Sequence, residues 1–282
     1  MYIRVLGPLT IHHGAAEVNP TARKPSTVLA LLLLNQQRVV PVSALIDELW
    51  QDAPPKTARA ALQVYVLNLR RMLAEAVGHT TGEVAETVLQ TVQNGYRFMV
   101  DPGRLDLEVY HRLRRSGVGA MNTGDLPAAA QYFRQALRLW RGSPVDDVEP
   151  GIRIRAEIAA LEQSRMMTQD YRIEVELRLG MHRDILSELV VLISRNRFHE
   201  NLHAQYMLAL YRSGYRIRAL EAYHQLRHDM LTEFGLEPSP QLKAFHQALL
   251  TVDSALDDVE VVPLPVRPVA NLPELPVLAS SF

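Results

Sequence analysis

The sequence predicts an α+β, mostly α, fold, and two patterns predict it. Up to about Val100, short strand-like runs surround three helical runs, closing on a strand pair around Gln93-Asn94-Gly95. From Leu107 to Leu250, apolar residues recur at helical spacing in one run after another. The 282 residues are 48% hydrophobic and 22% charged, which fits a globular chain with room for two domains. The longest apolar run, residues 28–34, is far too short to span a membrane, so no membrane partner is expected. The N-terminus MYIRVLGPLT lacks the long apolar stretch of a signal peptide, and cysteine is absent. Disulfides, thiolate metal sites and cysteine nucleophiles are thereby excluded. The expected location is the cytoplasm. A net charge of −1 carries no hint of nucleic acid, so any such hint must lie in local clustering.

Each element has its own reason. Tyr2, Ile3, Val5 and Leu6 read as a first strand, broken at Gly7-Pro8. Residues 9–12 read as a second, and residues 16–18 follow the His13-Gly14 turn as a third. Residues 26–35 are apolar nearly all round, which predicts a buried helix. A second helix is expected over 42–50 with Ser43 as a candidate cap. Pro54-Pro55 breaks the chain, and Thr57 is placed to cap a third helix containing ALQVYVLNLRRML. Asn-Gly between residues 88–92 and 96–100 signals a hairpin.

Helix, helix, helix, hairpin is the order of a winged helix-turn-helix, in which the last helix enters the major groove. On the third helix, Leu62, Val66, Leu69 and Leu73 share one face. Four bases and no acid lie between Lys56 and Arg71, namely Lys56, Arg59, Arg70 and Arg71. Gln63 and Asn68 add side chains that pair with base edges, and Arg and Lys neutralise phosphates. Val64 and Leu67 would touch thymine methyls or pack against the hairpin. In the hairpin, Asn94, Gly95 and Arg97 would reach a neighbouring groove or phosphate. A solvated basic face accounts for the same residues without any ligand.

The second region carries an internal repeat. Gly180 and Gly214 lie 34 residues apart, the period of a tetratricopeptide repeat, and Gly124 starts a similar unit. Ala129 and Phe133, Ile185 and Leu189, Ala219 and Tyr223 stand at the same offsets after these glycines. Trp140-Arg141-Gly142 reads as a helix end with the Trp packed and the Gly as C-cap. After residue 252, prolines at 263, 265, 268, 273 and 276 forbid a helix or central strand and predict a disordered tail. The expected domains are 1–102, 103–252 and this tail, 253–282.

Several pieces occur together in order: RVLGPLTI, LALLLLNQQRVVPVSALIDELW, APPKTARAALQVYVLNLRRML, GYRF, GDLPAAAQYFRQALRLWRG, MLALYRSG and RALEAYHQLRHDMLTEFGLEPSPQL. On these, residues 1–252 resemble the Streptomyces antibiotic regulatory protein family of transcription activators. The resemblance implies an OmpR-type winged helix followed by a bacterial transcriptional activation domain. It implies binding to direct repeats in double-stranded promoter DNA of antibiotic biosynthetic clusters, with molecules side by side. It also implies recruitment of RNA polymerase through its sigma factor and other subunits, and a place at the nucleoid. Lys56, Thr57 and Arg59 match the start of the family's recognition helix. Gln63, Asn68, Arg70 and Arg71 match its DNA-facing and flanking positions. Residues 51–55 match the segment that faces sigma in related winged helices. The chain departs at Leu67-Asn68, where family members usually carry a polar residue and an Arg, and at Gln93-Asn94, where they usually carry prolines.

Two other readings compete. The N-terminal domain of a helical adaptor would bind protein rather than DNA. A zinc hydrolase would use His199-Glu200-Asn201-Leu202-His203, an H-E-x-x-H motif that puts two histidines on one helix face beside a glutamate. On a repeat helix, packing accounts for the same residues. No G-x-x-x-x-G-K-[ST] and no G-x-S-x-G is present. No enzyme activity, cofactor or metal is expected.

Overall fold

The computed structural model describes residues 1–14, 16–253 and 256. The expected tail therefore lies outside the described residues, apart from Asp253 and Leu256. Two compact units divide the chain: Met1–Leu113 with Gln135–Arg165, and Arg114–Arg134 with the residues from Met166 onward.

In the first unit, β1 (Tyr2–Arg4), β2 (Thr10–His13) and β3 (Ala16–Glu17) form an antiparallel sheet in that order, with Ile3 opposite Ile11. The first strand stops short of Val5 and Leu6 for a specific reason. Their amides donate to the buried Asp106 carboxylate, at 2.8 and 3.1 Å, rather than to a neighbouring strand. Helix α1 (Arg23–Leu34) begins three residues before the expected start. Pro25 does not prevent this, because first-turn amides have no intrahelical partner to lose. Thr27 through Leu33 are all buried, as the all-round apolar pattern predicts.

Helix α2 (Val42–Trp50) has Pro41 at its N-cap, so Ser43 lies inside the first turn and is not the cap. Helix α3 (Ala58–Val77) has Thr57 at its N-cap, but the Thr57 side chain makes no cap hydrogen bond. Leu62, Val66, Leu69 and Leu73 are buried on its inner face. A short helix α4 (Thr81–Thr87) precedes the hairpin, fixed by a capping box. There the Thr80 hydroxyl accepts from Glu83 N, and the Glu83 carboxylate accepts from Thr80 N at 2.7 Å. Its T-x-x-E signature is present in the sequence. Strands β4 (Val40–Pro41), β5 (Leu89–Val92) and β6 (Gly95–Phe98) form a second sheet in the order β4–β6–β5.

Residues 135–165 complete the core of this unit. Trp140 packs edge-on against Tyr110, with centroids 5.3 Å apart, and is covered by the Arg165 guanidinium. Gly142 is not a left-handed C-cap: it lies beyond the end of α6 (Leu126–Arg138) and its φ is not positive. Glu48 of α2 is buried and accepts from Arg153 N and Ile154 N, two amides at the start of α7 (Ile152–Arg178). A carboxylate there meets free amides and the positive end of a helix.

The second unit is all helix among the described residues. It holds the later part of α5 (Asp106–Asn122), the early part of α6 (Leu126–Arg138) and the later part of α7. It continues with α8 (Leu186–Arg195), α9 (Glu200–Arg212), α10 (Arg216–Phe234) and α11 (Pro240–Thr251). The repeat seen in the sequence has a shared backbone cause. Gly124, Gly180 and Gly214 all have positive φ, at 81°, 75° and 87°. The residue after each donates back across the helix end, Asp125 N to Ala120 O, Met181 N to Glu176 O and Tyr215 N to Leu210 O, each at 2.9 Å. These are three copies of the Schellman closure, in which glycine is favoured because it adopts left-handed φ without strain. The residues five and nine places after each glycine are buried in all three units. The outcome is a winged helix followed by tetratricopeptide-like helical hairpins.

Candidate nucleic-acid interface

Opposite its buried stripe, α3 presents Arg59, Ala60, Gln63, Val64, Leu67, Asn68 and Arg71 to solvent. Lys56 and Thr57 are exposed at its head. The β5–β6 hairpin lies along one flank. Arg59 NH2 donates to Asn94 Oδ1 at 3.1 Å, joining the start of the helix to the turn. Arg59, Gln63, Thr91, Gln93 and Asn94 line a small open cleft there. Gln93, with φ of +46°, and Asn94 make the turn itself, since Val92 pairs with Gly95.

Three of the sequence-selected residues have other occupations in this geometry. Arg70 is half-buried, and burial lowers its guanidinium from the usual arginine value. It donates to Leu89 O through Nε and NH2, at 2.9 and 2.7 Å, and to Thr91 Oγ1 at 2.8 Å. Arg70 therefore fastens the hairpin to the helix. Arg97 grips Gln90 Oε1, its cross-strand neighbour, at 3.0 and 2.7 Å. Gly95 is buried against β4. The structure thus brings Arg59, Gln63 and Asn94 together, and leaves Lys56, Asn68 and Arg71 exposed along the same helix. Thr91 is missed in the sequence, and Gln93 is noted there only as part of the turn, because their place beside Gln63 depends on how the hairpin docks.

The adjacent arginines make a direct contrast. Arg70→Ala should lower the melting temperature of the full chain, by the equivalent of about 1–2 kcal/mol, since it frees a buried carbonyl from its donor. Arg71→Ala should leave the melting temperature within about 1 °C of the parent, as surface changes away from such ties usually do. Thermal denaturation followed by circular dichroism checks both.

The H-E-x-x-H residues are committed to the helical framework. His199 Nδ1 caps α9 by accepting from Leu202 N. The Glu200 carboxylate accepts from Ser239 N and is bonded by the Ser239 hydroxyl, which in turn caps α11. His203 Nε2 lies 2.9 Å from Arg197 O, an arrangement that requires the imidazole N–H there. Among the described residues, no group of three or more His, Cys, Asp or Glu is placed to hold a metal ion. No helix among them is long and apolar enough to cross a membrane.

The family model described as "Bacterial transcriptional activator domain" matches residues 105–250, and that described as "Transcriptional regulatory protein, C terminal" matches residues 17–98. The regulatory protein DnrI of Streptomyces peucetius is 44% identical over 280 residues, 99% of this chain and 98% of that protein. The chain belongs to the Streptomyces antibiotic regulatory protein family. Like other members of this family it is a transcriptional activator with a DNA-binding winged helix, and not an enzyme. The transcriptional regulatory protein MoaR1 of Mycobacterium tuberculosis is 30% identical over 247 residues, covering 87% of this chain and 78% of the relative. The solved structure of Mycobacterium tuberculosis EmbR in complex with a low-affinity phosphopeptide superposes with a TM-score of 0.84 at 29% identity, covering 93% of this chain and 68% of that one.

Proposed function

We propose that this family member activates an antibiotic biosynthetic cluster by binding direct repeats in its promoter DNA through α3 and the β5–β6 turn, and by recruiting RNA polymerase. The observation that carries the reading is the exposed line of Lys56, Gln63, Asn68 and Arg71 beside the Arg59–Asn94 pair. Cations there neutralise phosphates and give a salt-dependent attraction to any duplex. The amides of Gln63 and Asn68 read base edges, a good bidentate pair giving about 1–3 kcal/mol of discrimination. Arg70 acts by positioning the hairpin and Arg97 by stiffening it. Two molecules on direct repeats face the same way, so their mutual contact is head-to-tail and needs no two-fold axis. Residues 1–102 supply the DNA reading and residues 103–252 the protein contacts. The fully exposed loop 51–55 and the helical hairpins are the surfaces offered to sigma factor and other polymerase subunits.

Fluorescence anisotropy with duplexes carrying candidate direct repeats tests this reading. Tight binding should weaken steeply with salt. Gln63→Ala should cost about tenfold on the preferred site and little on random DNA. Arg71→Ala should weaken both and reduce the salt slope by about one. Inserting half a helical turn, about 5 base pairs, between two repeats should abolish joint occupancy. Run-off transcription with the holoenzyme checks recruitment. A chain with no salt-dependent DNA affinity, or one whose specific binding survives both substitutions, overturns the reading; the first outcome would favour a protein-binding adaptor.

A further inference from the structure

The middle of the solvent face of α3 is apolar, which the charge pattern of that helix does not require. Ala60, Val64 and Leu67 stand at i, i+4 and i+7, on one line along the helix, and Arg71 continues it. Val64 is 53% exposed and Leu67 39% exposed. Both stay open to solvent while the hairpin is fastened to the neighbouring flank through Arg59 and Arg70. Gln63 borders the stripe on one side and Asn68 on the other, with Lys56 and Arg59 near its N-terminal end.

An exposed apolar stripe framed by base-pairing amides and by cations fits one kind of surface, the floor of a major groove. The only apolar group displayed there is the 5-methyl of thymine. We infer that Val64 and Leu67 are specificity-determining residues that select thymines by contact with their 5-methyl groups, with Ala60 leaving room for a base edge beside them. This inference rests on the DNA-reading role proposed above for α3. At 1.5 Å rise per residue the stripe from Ala60 to Leu67 is about 10 Å long. Laid along the groove, it covers about three base-pair steps of 3.4 Å. The preferred site therefore holds one to three thymines within such a window, next to the bases read by Gln63 and Asn68.

The test uses the full chain and a duplex that it selects from a random library. Each thymine is replaced in turn by deoxyuridine, which removes the 5-methyl and leaves every hydrogen-bonding group in place. The parent protein should bind about fourfold more weakly at each contacted position, the loss expected when a methyl-sized apolar contact is given back to water. Val64→Ala or Leu67→Ala should abolish the thymine preference at its own position, binding thymine and uracil duplexes alike. Both residues are exposed, and the parent's deoxyuridine profile needs no variant. A flat deoxyuridine profile on a selected duplex overturns the inference while DNA reading by α3 stands. A profile that both substitutions leave unchanged assigns the methyls to other residues and overturns it too. If no duplex is enriched, the DNA reading fails and this inference falls with it.

Discussion

Gly95→Ala is expected to destabilise the unit containing the winged helix by about 3 kcal/mol or more and to weaken DNA binding. A Cβ at this position would lie 2.5 Å from Val40 O and 3.0 Å from Val40 C, so it meets backbone rather than a movable side chain. It would also lie 2.7 Å from Val39 Cγ1. Relief requires β4 to move away from β6, breaking the register in which Val40 faces Tyr96 and Pro41 faces Gly95. The Val42 N–H bond to Asn94 O, 2.9 Å long, sits beside that contact and would go with it. Asn94 is also the acceptor for Arg59, so the substitution loosens the turn at the head of α3 as well as the sheet. Calorimetry of the full chain should show a lower first-unit transition and anisotropy a weaker complex. An unchanged transition would show that β4 gives way without cost.

Asp170→Asn should raise stability in alkaline solution and leave it nearly unchanged in acid. Asp170 is buried on α7, and burial pushes its carboxyl up to about 7, with Glu174 adding to the rise and a hydrogen bond from Asn201 opposing it. His199 faces it from the head of α9, Nε2 to Oδ2 at 3.7 Å, and burial lowers that imidazole from its ordinary value. The ordinary carboxyl value of 3.8 applies to the unfolded chain. Between about pH 4 and pH 7 the folded state therefore holds a proton that the unfolded state has lost, and stability falls as pH rises through that window. Above it the deficit is constant, with an upper bound on the order of 4 kcal/mol. The carboxamide carries no such cost. Melting temperatures should diverge from pH 4 to about pH 7 and then keep a constant gap, with the variant higher at pH 8. Parallel curves would rule out a raised Asp170.

What the sequence made legible follows from how local each cause is. The buried helix over 26–35, the inner stripe of α3 and the glycine closures at 124, 180 and 214 depend on residues close in the chain, and periodicity reveals them. The Asn-Gly signal located the hairpin, but the structure assigns the turn to Gln93-Asn94. Gly95 is small because β4, more than fifty residues earlier, passes over it. Such a contact leaves no local trace. The same holds for Arg70, whose helical position suggests a free cation and whose guanidinium spans 19 residues to reach Leu89 O. The first strand ends early because a carboxylate 101 residues away takes Val5 N. The histidines at 199 and 203 have metal-binding spacing, and only their partners show them occupied with capping and a carbonyl.

The carboxylates of Glu48 and Asp106 carry a consequence for how such proteins are cut and recombined. Family models divide the chain between residues 98 and 105. The hydrophobic core that holds α3 also includes Leu105, Tyr110, Trp140, Val145, Ile154 and Leu161. Glu48 and the amides of Val5 and Leu6 find their buried partners beyond residue 105. A fragment ending near 102 would bare one side of that core to water and take from Glu48 both of its amide donors. Grafting the DNA-reading half onto a foreign effector at that seam should yield an insoluble chimera. A graft that carries residues through Arg165 keeps the core whole. The inheritable block of this architecture is therefore longer than its recognition fold, and a joint placed by sequence similarity alone would fall inside it.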